Sequence, residues 1–146
     1  MLIPLNYLIE KYELKINGIS HFGAHLGQEI SSYIDNGVKN IHLFEPQAEI
    51  YKALVENFKE FNLNFYKFGL GSAETTATLN SENQNEGKSA SVLAPLIHKQ
   101  LYPEIIFDKQ EQIDIKVYDL LEINDVNFLN LDIQGFELEA LKGCKE

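Results

Sequence analysis

Four short apolar runs, each ending abruptly at a glycine or a carboxylate, constrain the fold of this chain more than any other feature. They span residues 19–22, 40–44, 64–68 and 127–131, and helical periodicity follows each of the first two. Continuous apolar runs of this length are typical of parallel strands whose two faces are both covered by helices. The alternation of strand and helix therefore predicts an α/β fold with a mostly parallel sheet.

The rest of the chain supplies weaker elements. The spacing of apolar residues predicts helices over residues 2–12, 28–35, 48–58 and 136–141, and edge strands over residues 75–79 and 113–118. Residues 81–91 are polar and predict an exposed loop, and residues 93–102 predict a turn of helix. Because no linker or internal repeat divides the chain, we predict a single domain over residues 1–146.

Composition and charge argue against several classes of partner. The 146 residues carry a formal net charge of -10, which disfavours binding to nucleic acid and to anionic lipid. The single cysteine, Cys144, fits a reducing compartment. No apolar run approaches the roughly 20 residues that span a bilayer. We therefore expect a cytoplasmic protein with no membrane or nucleic-acid partner.

The turn after the first predicted strand has the spacing Gly-x-x-x-Gly, from Gly23 to Gly27, and opens a helix. Small residues at such a turn let a ligand approach the backbone, and free amides at a helix start hold polar groups. Many tight turns contain two glycines without binding anything, so this motif alone leaves both interpretations open.

A carboxylate follows the second predicted strand. Glu45 lies about twenty residues after the glycine turn, where nucleotide-binding α/β units place an acidic residue that accepts the ribose hydroxyls. The alternative is a solvated carboxylate at a strand end. The two features occur in the right order, and together they favour a ligand that carries a ribose.

The identity of that ligand depends on His25. Enzymes that bind NAD usually have Gly-x-Gly-x-x-Gly, whose later glycines let a pyrophosphate approach the helix. Here His25 takes the place of the second glycine. A bulky side chain suits a pyrophosphate poorly, so the residues favour S-adenosylmethionine, and hence a methyltransferase, over a nicotinamide-binding domain.

Together these segments resemble the FkbM family of S-adenosylmethionine-dependent methyltransferases. The resemblance extends from about Gly18 to Gly143, and its last block, Asp-x-x-Gly-x-Glu followed by Leu-Lys-Gly, is the most specific part. The matching residues are 23–29, 44–46, 69–71, 131–137 and 141–143.

The resemblance implies a Rossmann-like methyltransferase sheet and a set of residues for the cofactor, S-adenosylmethionine. Gly23, Ala24, His25 and Gly27 would hold the methionine part, and Glu45 would hold the ribose. Pro46 and Gln47 would lie beside the adenine, and Gly69 and Leu70 would lie along its edge. The acceptor it implies is a hydroxyl on a sugar or another small metabolite.

Two departures from the family pattern affect these expectations. In the family, the first strand typically ends in an aspartate, and here that position is His21. The replacement removes a carboxylate that would hold the amino group of the cofactor. The family sheet also continues beyond the fourth core strand, so we expect a fold truncated at its C-terminal side. Either a longer protein or another chain, such as a second copy in a homo-oligomer, would complete the sheet. The rival hypothesis is a non-catalytic, methyltransferase-like remnant.

Three residues are candidates for the chemistry. Asp132 follows the fourth strand and would act as the general base for an acceptor hydroxyl, or would simply cap the next helix. His98, in the irregular middle region, is either a second base or a solvated side chain. Glu137 would either anchor a substrate or stabilise the first turn of its helix.

The histidines do not predict a metal site. His21, His25 and His42 are spread over two strands and a loop, and no cysteine or carboxylate cluster accompanies them at ligand spacing. We therefore expect no bound metal.

Overall fold

A computed structural model of the chain describes residues 3–81, 90–93 and 109–145. The chain divides into two compact units, and each is considered by itself. The first unit comprises Met1–Lys67 and Ile123–Leu131, and the second comprises the rest of the chain. The prediction of a single domain stays a prediction.

The described residues contain helices, strands and one 3-10 helix. In chain order they are α1 (Leu5–Tyr12), β1 (Gly18–Phe22), α2 (Ile30–Asp35), β2 (Asn40–Phe44), α3 (Ala48–Phe58), β3 (Asn64–Tyr66), β4 (Gly69–Leu70), β5 (Thr75–Ser81), β6 (Lys109–Lys116), the 3-10 helix (Tyr118–Leu121), β7 (Phe128–Leu131) and α4 (Glu137–Leu141). Among these residues, no helix has the length and hydropathy needed to cross a bilayer.

The first unit is built on a four-stranded sheet in the order β3-β2-β1-β7. Every neighbouring pair runs parallel, with Ile19 opposite both Ile41 and Phe128, and His42 opposite Asn64. The predicted mostly parallel α/β sheet is confirmed. The chain adds β2 and β3 on one side of β1 and β7 on the other, so the strand order reverses at β1. Open α/β sheets bind ligands at such a reversal, beyond the carboxyl ends of the strands.

The core of the first unit lies between this sheet and its helices. Ile19, Ile41 and Leu43 are buried on the strands and cluster with Leu54 of α3 and Leu5 of α1. Residues on both faces of β1 and β2 are buried, so apolar residues are favoured at successive positions and not only at alternate ones. The packing fixes the positions of the loops that follow β1 and β2.

The second unit contains a three-stranded sheet in the order β4-β6-β5. Strand β5 pairs antiparallel with β6, and β4 pairs parallel with it. Ile113 and Ile115 are buried on β6 and pack with Leu79 of β5, while Asp114 between them is exposed. This alternation is typical of a sheet with one face in water. Both predicted strands are therefore present, but only β5 lies at an edge. Strand β6 is the central strand, paired with β4 and β5, so the prediction of an edge strand over residues 113–118 was wrong.

Several boundaries differ from the sequence predictions. The third strand ends at Tyr66, and Gly69 and Leu70 form the separate strand β4 beside β6. An added Cβ on Gly69 would lie 2.8 Å from the Ile115 side chain, so the glycine permits close approach. The predicted loop over 81–91 and helical turn over 93–102 lie largely outside the described residues.

Gly18 gives a direct test of how the loop before β7 packs on β1. An added Cβ would overlap the Asp125 carbonyl oxygen, and nearby in the same loop the Asn127 Oδ1 accepts the Asn17 amide at 2.9 Å. We predict that Gly18→Ala lowers the free energy of unfolding by about 1–3 kcal/mol, because backbone has to move. Urea unfolding followed by circular dichroism measures the change. Ser31→Ala, at an exposed position of α2, is the control, and equal stabilities of the two variants would contradict this packing.

Candidate functional site

The glycine loop, residues 23–27, leaves β1 and is tied to the end of β2. The amides of Gly23 and Ala24 both donate to the Phe44 carbonyl, at 2.9 and 3.0 Å. The Gly27 amide donates to the Ala24 carbonyl at 2.8 Å and closes the turn. The loop is therefore a tight turn whose position depends on the neighbouring strand.

Gly27 is required by both conformation and packing. Its φ of +84° lies in the left-handed region, and an added Cβ would lie 2.6 Å from side-chain atoms of both Ile30 and Phe58. The Ala24 side chain is fully buried in the core of the first unit. The second half of the loop thus packs against α2 and α3, and Ala24 offers a ligand only its backbone.

His25 adopts the backbone conformation of a glycine. Its φ is +47°, a left-handed value that non-glycine residues seldom take. Its ring Nδ1 lies 3.2 Å from the Gln28 side-chain nitrogen. Histidine therefore keeps the turn geometry expected of the second glycine while adding a side chain that a pyrophosphate-binding loop would lack.

Glu45 is buried, with 2 % of its surface exposed. Its Oε2 accepts the His25 amide at 3.0 Å, and its Oε1 accepts the Gln47 amide at 2.8 Å. One carboxylate thus holds the glycine loop and the start of α3 together at the carboxyl ends of β1 and β2. The alternative of a solvated carboxylate does not describe this side chain.

Burial raises the pKa of the Glu45 carboxyl, because the charged form loses hydration. The backbone amides of Gln47 and His25 act in the opposite direction, since they stabilise the carboxylate. Pro46 is half-buried, and Gln47 is buried at the N-cap of α3. The structure therefore brings together seven of the residues predicted to bind the cofactor, the four of the glycine loop and the three at 45–47.

The sequence did not reveal a hydrogen-bonded network that joins β1, α2 and β7. The Nδ1 atom of His21 lies 3.1 Å from the Tyr33 hydroxyl, which also accepts a hydrogen bond from the Asn130 side chain at 2.6 Å. His21 is 2 % exposed, and burial lowers its pKa to about 4. The sequence offers one signal for this network, which is the polar residue Asn130 within the apolar run of the fourth predicted strand.

A second network surrounds His42 on β2. Its Nε2 lies 3.0 Å from the Asp125 carboxylate, and its Nδ1 lies 3.1 Å from the Tyr66 hydroxyl. Hydrogen bonds thus join the Asp125 carboxylate, the His42 ring and the Tyr66 hydroxyl within the first unit. Within residues 3–81, 90–93 and 109–145, no group of three or more metal-binding side chains is placed to hold an ion.

In the second unit, Asp132 is exposed and accepts a hydrogen bond from the Gln134 side-chain nitrogen at 2.9 Å. Helix α4 begins only at Glu137, so Asp132 is not its cap. The Glu137 Oε1 accepts the amides of Ile133 and Gly135, at 3.1 and 3.2 Å. Glu137 therefore stabilises the turn before α4, and the Asp132 side chain projects from that turn.

The remaining predicted site residues are Gly69, Leu70 and His98. Gly69 and Leu70 form β4, and the Leu70 side chain is buried. His98, the second candidate base, lies outside the described residues. Their assignment to the cofactor and to catalysis stays a prediction.

Comparison with known proteins gives one finding. The family profile described as "Methyltransferase FkbM domain" matches residues 21–146, which is most of the chain. No curated protein and no solved structure shows a significant match. The matched region includes the glycine loop, Glu45 and Asp132.

The burial of Glu45 predicts how stability depends on pH. Since the pKa is raised in the folded state, folded protein binds this proton more tightly than unfolded chain does. The contribution of Glu45 is greatest below the unfolded value of about 4.3 and is lost as the pH rises through the folded pKa. We predict that the unfolding free energy of wild type, minus that of Glu45→Gln, falls with rising pH across this window. Denaturant unfolding from pH 4 to pH 8 measures it, and a difference independent of pH would refute the assignment.

Proposed function

The chain belongs to the methyltransferase FkbM domain family, and we propose that it transfers a methyl group from S-adenosylmethionine to a hydroxyl of a small acceptor. The acceptor would be a sugar or another small metabolite. The observation that carries this proposal is the buried Glu45 carboxylate, which joins the glycine loop to the end of β2. It follows β2, the neighbour of the strand β1 at which the strand order reverses, and α/β sheets bind nucleotides beside such a reversal.

The acceptor capacity of Glu45 fits a ribose. A carboxylate has about four hydrogen-bond acceptor positions. Two backbone amides occupy one position on each oxygen, and the Gln47 side chain also hydrogen-bonds to the group. A ribose with two hydroxyls fits the remaining positions when the Gln47 side chain turns away. Glu45 would then hold the ribose without releasing the glycine loop.

The glycine loop fits the methionine part of the cofactor better than a pyrophosphate. The His25 amide is already bonded to Glu45, so it is not free to bind a phosphate oxygen. The His25 side chain occupies the place of a glycine, and the surface of the chain is strongly acidic. A ligand with a cationic sulfonium therefore suits this region better than a dianionic dinucleotide does.

When bound, S-adenosylmethionine supplies an electrophilic methyl group on a sulfonium. Methyl transfer to a hydroxyl then requires an aligned acceptor and a group that takes the hydroxyl proton. Asp132 is suited to the second role, because its Oδ1 is oriented by Gln134 while its carboxylate is exposed. Its Oδ2 would accept the proton, and Glu137 would keep the turn in place by holding two of its amides.

Calorimetric titration with S-adenosylmethionine tests the first part of this proposal. We predict saturable binding by the purified chain and none of NAD, and we predict that Glu45→Ala weakens binding by roughly 10- to 150-fold. This range corresponds to about 1.5–3 kcal/mol, the typical loss for hydrogen bonds to a charged group. Glu49→Ala removes an exposed carboxylate from the same helix region and should bind like wild type. Folded wild type that does not bind would instead support the non-catalytic remnant.

Substitution of Asp132 separates binding from chemistry. We predict that Asp132→Asn lowers the rate of methyl transfer by about 10²- to 10⁴-fold, the usual contribution of a general base, and leaves the affinity for S-adenosylmethionine unchanged. Transfer of a labelled methyl group to a panel of hydroxylated sugars and metabolites measures the rate. Asp114→Asn, at an exposed position of β6, serves as the matched control. A wild-type rate in the Asp132 variant would remove this residue from the mechanism.

A further inference from the structure

His21 sits at the carboxyl end of β1, with only Phe22 between it and the glycine loop. It is almost fully buried, and its ring contacts the Tyr33 ring edge-on, with centroids 5.8 Å apart. The hydroxyl of Tyr33 and the amide of Asn130 complete a chain of three polar side chains in the first unit. The direction of each hydrogen bond in this chain can be deduced.

The Tyr33 hydroxyl determines which nitrogen of His21 carries the proton. Its oxygen accepts a hydrogen from the Asn130 side-chain nitrogen, so its own hydrogen needs an acceptor. The Nδ1 atom of His21, 3.1 Å away, is that acceptor. Nδ1 therefore has no hydrogen. Since burial keeps the ring neutral, with a pKa of about 4, the single ring proton is on Nε2.

Among residues 3–81, 90–93 and 109–145, the buried Nε2–H group of His21 has no hydrogen-bond acceptor. The Nδ1 atom, by contrast, is fully accounted for. A buried donor left without an acceptor typically costs about 1–3 kcal/mol. Such a cost is recovered when a ligand brings an acceptor. The glycine loop, to which the proposed function assigns the cofactor, begins two residues after His21.

We propose that the His21 Nε2–H group donates a hydrogen bond to the carboxylate of the methionine part of the cofactor and so selects ligands that carry this carboxylate. The inference rests on the proposed function, because it assumes that the glycine loop holds S-adenosylmethionine. The methionine end offers one donor, its ammonium, and one acceptor, its carboxylate. A neutral ring N–H complements only the acceptor. An aspartate at this position would complement the ammonium, so histidine reverses the polarity of the contact.

Two ligands that differ only in this carboxylate provide the test. They are S-adenosylmethionine and its decarboxylated form, and calorimetry gives the ratio of their dissociation constants for each protein. We predict that wild type favours the carboxylate-bearing ligand and that His21→Phe reduces this preference by tenfold or more, about 1.4 kcal/mol. A loss of general stability would weaken both ligands together and would leave the ratio unchanged.

His42→Phe is the matched control. His42 is also a buried histidine of the parallel sheet with a tyrosine hydroxyl on its Nδ1, but its Nε2 is already bonded to Asp125. We therefore expect His42→Phe to keep the wild-type ratio of dissociation constants even if it lowers stability.

Nitrogen NMR of the wild-type protein provides a measurement that needs no variant. We expect the His21 ring to be the neutral form protonated at Nε2, and we expect its Nε2–H signal to shift on addition of S-adenosylmethionine. The decarboxylated ligand should leave that signal nearly unchanged. A ring protonated at Nδ1 would overturn the inference.

The outcomes separate this inference from the proposed function. Wild type that binds S-adenosylmethionine while His21→Phe keeps the full preference leaves the proposed function intact and overturns the role of His21. Wild type that binds neither ligand overturns both. A reduced preference in His21→Phe alone, together with the ligand-specific NMR shift, supports both.

Discussion

The hydrogen bonds of the Glu45 carboxylate are the contacts on which the rest of the site depends. They join the His25 amide in the loop after β1 to the Gln47 amide at the start of α3. Hydrogen bonds to an ionised group are stronger than those between neutral groups, and they offset part of the cost of burying the carboxylate. The amides of Gly23 and Ala24 also bond to the Phe44 carbonyl, so several hydrogen bonds connect the loop after β1 to the end of β2. A ligand that binds Glu45 thus acts on a loop that is already in place.

Patterns confined to continuous segments could be predicted from the sequence. The apolar runs gave the four parallel strands, helix α3 was predicted with its observed bounds, and the positions of Gly27 and Glu45 followed from strand ends. The hydrogen bond from the His25 amide to Glu45 could not be predicted, because it depends on the register of β1 against β2. The same limit applies to the bond between Asn130 and Tyr33, which are far apart in sequence. Long-range hydrogen bonds leave no periodic signal in the residues that form them.

The start of α4 at Glu137 excludes the helix-cap alternative for Asp132, and the catalytic role of Asp132 stays a prediction. A carboxylate directly after a strand is compatible with a helix cap, and residue types alone do not distinguish this from a free side chain. In the structure, Glu137 accepts two amides of the turn, with Gln134 and Gly135 both at positive φ. This turn leaves Asp132 five residues before the helix. The middle strands were harder to place, because β5 and β6 satisfy their backbone groups by pairing with each other, which a periodic pattern does not reveal.

His21 and Glu45 should contribute differently to the pH dependence of ligand binding, although burial favours the neutral form of both. With a pKa of about 4, His21 remains neutral from pH 5 upward, so its Nε2–H donor does not titrate in the physiological range. The pKa of Glu45, by contrast, is raised by burial above its ordinary acidic value. The carboxylate form offers ribose hydroxyls more acceptor positions than the protonated form does, so of the two residues Glu45 is the one that gives a gain in affinity with rising pH. The two contacts can therefore be distinguished by pH as well as by substitution, one at the ribose and the other at the methionine carboxylate.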